Sequence, residues 1–241
     1  NSLSLYNAVS SIELLQPQVL KVNLNQTASI AAGRVLNLRH QVYGYDAFKF
    51  YECSNITLEH INILSTPGMA VLAEDSDNLT VRDVHVRIRP HTQRLMSVTA
   101  DGIHAMNCGG QVTIEDSSFE GTGDDAANIH GMYLIVDQKL SARALLAHHE
   151  RGYSNVPRVG DKVEFNRAAT MLPYTTLTVA SVKKNIDPPK HGLSFTSDLP
   201  ADLAVGDMLG NATRAPVTRL QRNRVLTNRG RGFLCSSRDV T

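Results

Sequence analysis

Three aspartates set the chemical question. Asp101 stands in Thr99-Ala100-Asp101-Gly102-Ile103-His104. Asp124 and Asp125 follow 23 residues later, in Gly123-Asp124-Asp125-Ala126-Ala127-Asn128-Ile129-His130-Gly131. Two carboxylates are the minimum for breaking a glycosidic bond: one protonated to help the leaving oxygen depart, the other ionised to activate water or attack carbon. Crowding separates such groups, because like charges at short range do not all ionise easily, and a nearby arginine keeps a chosen one ionised. An Asp-Asp dipeptide alone is an ordinary acidic turn. Paired with a third Asp at a structural interval, it becomes candidate acid/base machinery.

The interval is structural because the surrounding sequence repeats with it. Asn55-Ile56-Thr57-Leu58 recurs 23 residues on as Asn78-Leu79-Thr80-Val81, and weaker echoes follow at Gln111-Val112-Thr113-Ile114 and Asp239-Val240-Thr241. Short apolar strands at this period, broken by Asn, Gly, Ser and Asp, predict stacked coils that bury their core against one another. Residues one period apart then face each other across about 4.8 Å. Aligned on the inward positions Val71, Ile103 and Phe233, the residues two places earlier are Met69, Asp101 and Arg231. If Ala127 points inward in the next coil, Asp125 joins that column beside Arg231 and Asn128 matches His104. Period-two alternation sends His104, Asn128 and His130 outward. Glu74 ends its strand where a sugar could reach it, or lies in a solvated turn. Residues 88–98 interrupt the period and read as a loop.

Outside residues 46–131 the pattern changes. Strands are expected at Val19–Val22 and Val35–Leu38 in an otherwise irregular N-terminal stretch. After Gly131 the period vanishes, and Leu140-Ser141-Ala142-Arg143-Ala144-Leu145-Leu146-Ala147 suggests a short helix. Val159-Gly160-Asp161 and Val205-Gly206-Asp207 each precede an apolar strand, as in small β-barrels, and the coil pattern returns at Val225–Cys235. The reading is an all-β chain: a right-handed parallel β-helix (solenoid) over 1–131, an inserted small β-barrel over 132–215, and the β-helix resumed over 216–241.

Composition agrees with narrow coils. Apolar residues make up 42%, but aromatics only 5% with no Trp, which disfavours a sandwich built around large rings. A net charge of +1 gives no case for nucleic acid or an anionic membrane surface, and no apolar run approaches the roughly 18 residues of a membrane span. Cys53, Cys108 and Cys235 read as small buried thiols at equivalent coil positions rather than as a disulfide or metal framework. No metal ion and no cofactor is expected, and His91, His148 and His149 read as surface residues. Beginning at Asn1 and ending inside a repeat, the chain reads as an internal piece of a longer protein.

The motifs Ala100-Asp101-Gly102-Ile103-His104 and Asp124-Asp125-x-x-Asn128-x-His130-Gly131, with their 23-residue step, resemble glycoside hydrolase family 110, bacterial α-1,3-galactosidases that include enzymes acting on the blood group B antigen. The likeness covers about 46–131 and 217–241, and the Val-Gly-Asp insertion resembles that family's β-barrel. It implies an exo-acting, inverting hydrolase with a galactose-terminated glycan as partner. Asp101 would be the general acid, and Asp124 and Asp125 would share the base role. His104, Asn128, His130, Arg231 and Glu74 would bind substrate. A secreted or periplasmic location and a possible homodimer are further expectations. Inversion also implies that at least one separation, Asp101 to Asp124 or to Asp125, exceeds about 6 Å. Two readings compete. The polygalacturonases of family 28 also place Asp-Gly and Asp-Asp on adjacent coils, but here Ala126 follows where that family has Cys, and no Arg-x-Lys occurs. A non-catalytic carbohydrate-binding or adhesin-like β-helix would share the repeat, although it has no need of stacked aspartates.

Overall fold

The computed structural model describes residues 8–27, 30–33, 37, 39, 41–151, 153, 155–187 and 189–241, in two contact units, 1–39 and 40–241. It is all-β: among the described residues the only helical turn is a 3-10 turn at Ala212–Arg214.

In the first unit, β1 (Val9–Gln16) and β2 (Val19–Leu24) pair antiparallel across the turn at Pro17-Gln18, where Gln18 adopts φ 68°. Parallel coils therefore do not extend to this hairpin, since a two-residue turn joins only antiparallel strands. The strand expected at Val19–Val22 lies within β2; most of the one expected at Val35–Leu38 falls outside the described residues.

The second unit opens with parallel strands. β3 (Phe48–Tyr51), β5 (Val71–Glu74), β7 (Ile103–Met106) and β10 (Ala127–His130) stack in one sheet, which β19 (Phe233–Cys235) completes. Phe48, Val71, Ile103, Ala127 and Phe233 are in register, so the inward column read from the sequence exists, and Asn128 lies opposite His104. The second parallel sheet contains β4 (Ser54–Ile63), β6 (Asp77–Val86), β8 (Gly109–Glu115) and β9 (Ser118–Glu120), then β17 (Val217–Gln221), β18 (Arg224–Leu226) and β20 (Asp239–Val240). Here Ile56, Leu79, Val112, Thr218 and Val240 share one column, and Ile63, Val86, Phe119 and Val225 another. Residues 88–98 form an irregular loop apart from a bridge between Val98 and Thr66.

Corners recur as well as strands. Asn55 and Asn78 are left-handed at φ 56°, and Gly110 at φ 64° follows them in the stack. Asn78 donates to Asn55 Oδ1 at 3.1 Å and accepts from Gln111 N, a ladder of side chains across the bend. A Cβ on Gly110 would stand 2.2 Å from Asn78 Oδ1, so the ladder itself requires glycine there. His60, Asp83, Asp116 and Arg222 form a second left-handed set. Asn and Asp tolerate this conformation better than other side chains, which is why the repeat reads as Asn-apolar-Thr. Cys53 and Cys108 occupy one such corner with Ser76 between them, whereas Cys235 lies in a strand opposite Ile129 and is not equivalent to them.

Between β10 and β17 six antiparallel strands close a barrel: β11 (Tyr133–Lys139), β12 (Ala144–His148), β13 (Lys162–Asn166), β14 (Pro173–Asp187), β15 (Lys190–Phe195) and β16 (Met208–Asn211). The helix expected near 140–149 is instead β12. Its side chains alternate across the barrel wall, Leu145 and Ala147 inside, and pairing on both edges outweighs the helix preference of Ala and Leu. Both Gly-Asp turns are real, with Gly160 at φ 91° and Gly206 at φ 93°. Asp161 accepts from Arg158 N, and Asp207 from Ala204 N, each closing the same tight turn. His149, expected at the surface, is buried with its ring edge-on to Tyr153.

Candidate active site

Asp101, Asp125 and Arg231 are held by the bends that enter β7, β10 and β19, and their backbones bond rung to rung. Ala70 N donates to Asp101 O, Gly102 N to Asp125 O, and Ala126 N to Arg231 O, at 2.9–3.1 Å. The side chains repeat the pattern. Asp101 Oδ1 accepts Asp125 N at 3.1 Å, and Asp125 Oδ1 accepts Arg231 N at 2.7 Å. Asp46, at the start of the stack, does the same for Met69 N at 2.8 Å. One oxygen of each ladder aspartate is thus spent on fixing the next coil, a role the sequence reading did not identify for Asp46.

The three carboxylates then diverge. Asp125, 1% exposed, is gripped by Arg231, whose Nε lies 3.0 Å from Oδ1 and Nη2 2.8 Å from Oδ2. The contact with Asp125 in turn raises the guanidinium above its ordinary value. Asp101, also buried, presents Oδ2 to His104 Nδ1 at 2.6 Å. Asp124 is half-buried, and its carboxylate accepts no hydrogen bond among the described residues. Burial raises its pKa first, Asp101 and Asp125 add to the shift, and Arg229 and Arg231 oppose it. One oxygen from each of Asp101, Asp124 and Asp125 lies within 4.8 Å of the others. That grouping is the one metal-sized cluster of acids among the described residues, yet Arg231 and His104 already occupy oxygens of two members. A hard cation wanting six or more oxygen ligands has too few free ones here.

The expected separation above about 6 Å is not met on nearest oxygens. Stacking on adjacent rungs draws the groups together, and the one-residue offset of Asp124 does not carry its carboxylate far enough away.

His104, Asn128 and His130 face outward as alternation required, and all are half-buried. Asn128 Oδ1 is buried with no hydrogen-bond partner among the described residues. Glu74 shares the column of Met106 and His130, but its carboxylate accepts Asn155 Nδ2 at 3.0 Å from the barrel's connecting loop, outside the three-carboxylate cluster. Sequence reasoning missed Gly230. Its N–H donates to Asp124 O, and a Cβ there would lie 2.6 Å from Asp124 Oδ1 and from Asp125 Oδ1. The signal was present in Asn228-Arg229-Gly230-Arg231-Gly232, a glycine-flanked basic bend one rung above two aspartates.

Residues 41–138 match the family described as glycosyl hydrolases family 28, and residues 145–209 match the GLAA-B beta-barrel domain II. An alpha-1,3-galactosidase A of Bacteroides fragilis (strain YCH46) is 28% identical over 234 residues, 95% of this chain and 38% of that protein. An alpha-1,3-galactosidase B of Akkermansia muciniphila is 30% identical over 219 residues, 89% of this chain and 27% of that protein. The chain is a relative of the alpha-1,3-galactosidases. The matched span of the alpha-1,3-galactosidase A of Shewanella woodyi is likewise partial, 91% of this chain against 36% of that protein at 28% identity. The chain therefore covers well under half of each of these galactosidases. Among its described residues no helix is long and apolar enough to cross a membrane.

Proposed function

We propose that this chain is the catalytic segment of an exo-acting glycoside hydrolase that removes terminal α-1,3-linked galactose with inversion. The observation that carries the hydrolase is the three-way division of labour among Asp101, Asp124 and Asp125. Asp101 and its neighbour His104 hold a proton for the leaving oxygen. Asp125 is occupied by Arg231 at both oxygens and acts mainly to hold charge and geometry. Asp124, whose carboxylate accepts no hydrogen bond among the described residues, shares the base role with Asp125 as the resemblance implies. In the reaction the glycosidic C–O bond breaks, its oxygen takes the Asp101 proton, and water adds at the anomeric carbon while giving a proton to Asp124. Asn128 Oδ1 offers an unfilled acceptor to a sugar hydroxyl, and His104, His130, Arg231 and Glu74 complete the proposed binding set. The galactose specificity comes from the resemblance and the named relatives; the carboxylates alone support glycoside hydrolysis.

The proposed architecture is a right-handed parallel β-helix to residue 131, a barrel insertion over 132–215, and the helix resumed over 216–241. The proposed setting is secreted or periplasmic, where terminal glycans are met. Inversion rests on the resemblance and on the saturation of Asp125, which leaves it unsuited to attack carbon. A proton NMR time course on an α-galactoside decides it: β-galactose released first means inversion, and α-galactose first means retention.

The match of residues 41–138 to family 28 favours a second reading, hydrolysis of polygalacturonate. The full-length protein should be assayed on aryl α-galactosides, α-1,3-galactobiose and polygalacturonate. Galactose from the first two supports the proposal; galacturonate from the third replaces it with the second reading. Glycan binding that survives Asp101→Asn, with no turnover of any of the three by the parent protein, makes the chain a binding module.

A further inference from the structure

Two histidines lead from the carboxylates toward the barrel. His104 Nδ1 lies 2.6 Å from Asp101 Oδ2, and His104 Nε2 lies 3.0 Å from His130 Nε2 on the next strand. His130 Nδ1 donates to the Gly131 carbonyl at 2.8 Å, where the chain leaves the coil. Beyond His130 the neighbours come from the segment that follows β12. Burial is the main cause lowering the pKa of both His130 and His149, and the charge of Arg151 lowers both further. Arg151 and His149 therefore stand beside the outward end of the histidine line.

Tyr153 belongs to the same segment. Its ring meets the His149 ring at 70° with centroids 4.9 Å apart, yet the residue is 41% exposed. One side is seated on a buried imidazole and the rest is open. The flanking residues are fastened to both halves of the molecule. Arg151 N donates to His149 Nδ1 at 3.1 Å, and Val156 packs on the barrel core. Buried Asn155 donates to Glu74 Oε1 at 3.0 Å and also to Asp75 Oδ2, while Arg158 Nη2 donates to the Asp75 carbonyl at 3.1 Å. A ring presented from such anchored backbone loses little freedom when a ligand covers it.

An open aromatic ring beside a sugar-cutting site has a definite use. The face of the ring carries partial negative charge, and one face of a galactopyranose is a patch of C–H bonds polarised the other way. An exo-acting site holds one sugar ahead of the bond it cuts, so a platform beyond the carboxylates meets the sugar behind it. We infer that Tyr153 is a specificity-determining residue whose ring is the platform for the sugar on the leaving side of the bond. The inserted barrel then reads the sugar that the coil releases. This deepens the proposed hydrolysis and rests on the three-carboxylate cluster being where the bond is cut.

The measure is kcat/KM of the full-length protein for α-1,3-galactobiose divided by that for α-galactosyl fluoride, whose leaving group has no ring to stack. Tyr153→Ala should lower this ratio about tenfold. Tyr153→Phe, which keeps the ring, should keep most of it. Tyr51→Ala removes an exposed tyrosine three strands away from His130 and should leave the ratio where it is. Equal losses on both substrates would overturn the platform and leave Tyr153 as a brace for His149; a Phe variant as poor as the Ala one would overturn it too. A parent protein that turns over neither substrate instead removes the hydrolysis beneath the inference. Saturation-transfer NMR reads the platform without turnover. Galactobiose on the Asp124→Asn protein should receive saturation on its reducing ring, and less once Tyr153→Ala is added. A reducing ring that receives none overturns the platform whatever the turnover.

Discussion

Asp124 and Asp125 are neighbours in the chain and opposites in environment. Asp125 sits under a bidentate arginine, while Asp124 is partly desolvated and repelled by its two fellow carboxylates. An acid whose folded pKa is raised contributes stability below its unfolded pKa, and that contribution is lost as pH rises through the folded value. At neutral pH the ionised Asp124 therefore weakens the fold. Asp124→Asn should raise the thermal midpoint at neutral pH, lose that advantage in acid, and lower kcat by about 10²–10⁴. An unchanged kcat would end the base assignment. Gly230→Ala tests the same site from above, since the new Cβ must displace one of two carboxylates. A shift of about an ångström at such a group is worth about 100-fold in rate, measurable in kcat with the fold intact by circular dichroism. The carboxylates, the arginine and the outward histidines were legible from interval and alternation. Gly230 and the His104–His130 line were not, because backbone approach and ring tautomers leave no periodic trace in a sequence.

Strands carry the interval and corners enforce it. Phe119 is fully buried, packs edge to face on Phe233 at 6.4 Å, and would clash with any side chain at Gly102, beside Asp101. Phe119→Ala should cost about 3–5 kcal/mol in denaturant unfolding and lower activity through the loosened Asp101 bend. At the Asn ladder, Asn78→Gly should lose only the side chain's two hydrogen bonds, since glycine accepts the left-handed bend. Asn78→Ala should lose about 1–2 kcal/mol more, and equal losses for the two would deny that backbone conformation matters there. The period was readable here because corner and core residues repeat together. The helix expected around Leu140–His149 failed for the converse reason: Ala-Leu-Leu-Ala is as content in a small barrel's wall as in a helix, and only non-local pairing decides. The hairpin at Val9–Leu24 was likewise hidden, because one of its two strands carried no clear alternation.

At the scale of the molecule, charge is nearly balanced, with 24 basic and 23 acidic residues. A neutral glycan bound by hydrogen bonds should feel little long-range field. Raising salt from about 0.1 M to 1 M shortens the Debye length from about 10 to 3 Å and should leave KM for a galactoside nearly unchanged. A KM that climbs several-fold with salt would point to a polyanionic substrate and to the polygalacturonate reading.

The barrel's first and last strands, β11 and β16, are hydrogen-bonded to each other, so the chain leaves the stack beside Gly131 and returns beside Ala212. For the coil, the whole barrel is a detour whose ends are already together. Loop-closure entropy grows only with the logarithm of length, about 0.6 kcal/mol per doubling, and a folded detour reduces even that. The junction is therefore a natural splice point, where a lineage could lengthen, exchange or lose a module without re-registering the rungs that hold Asp101, Asp125 and Arg231.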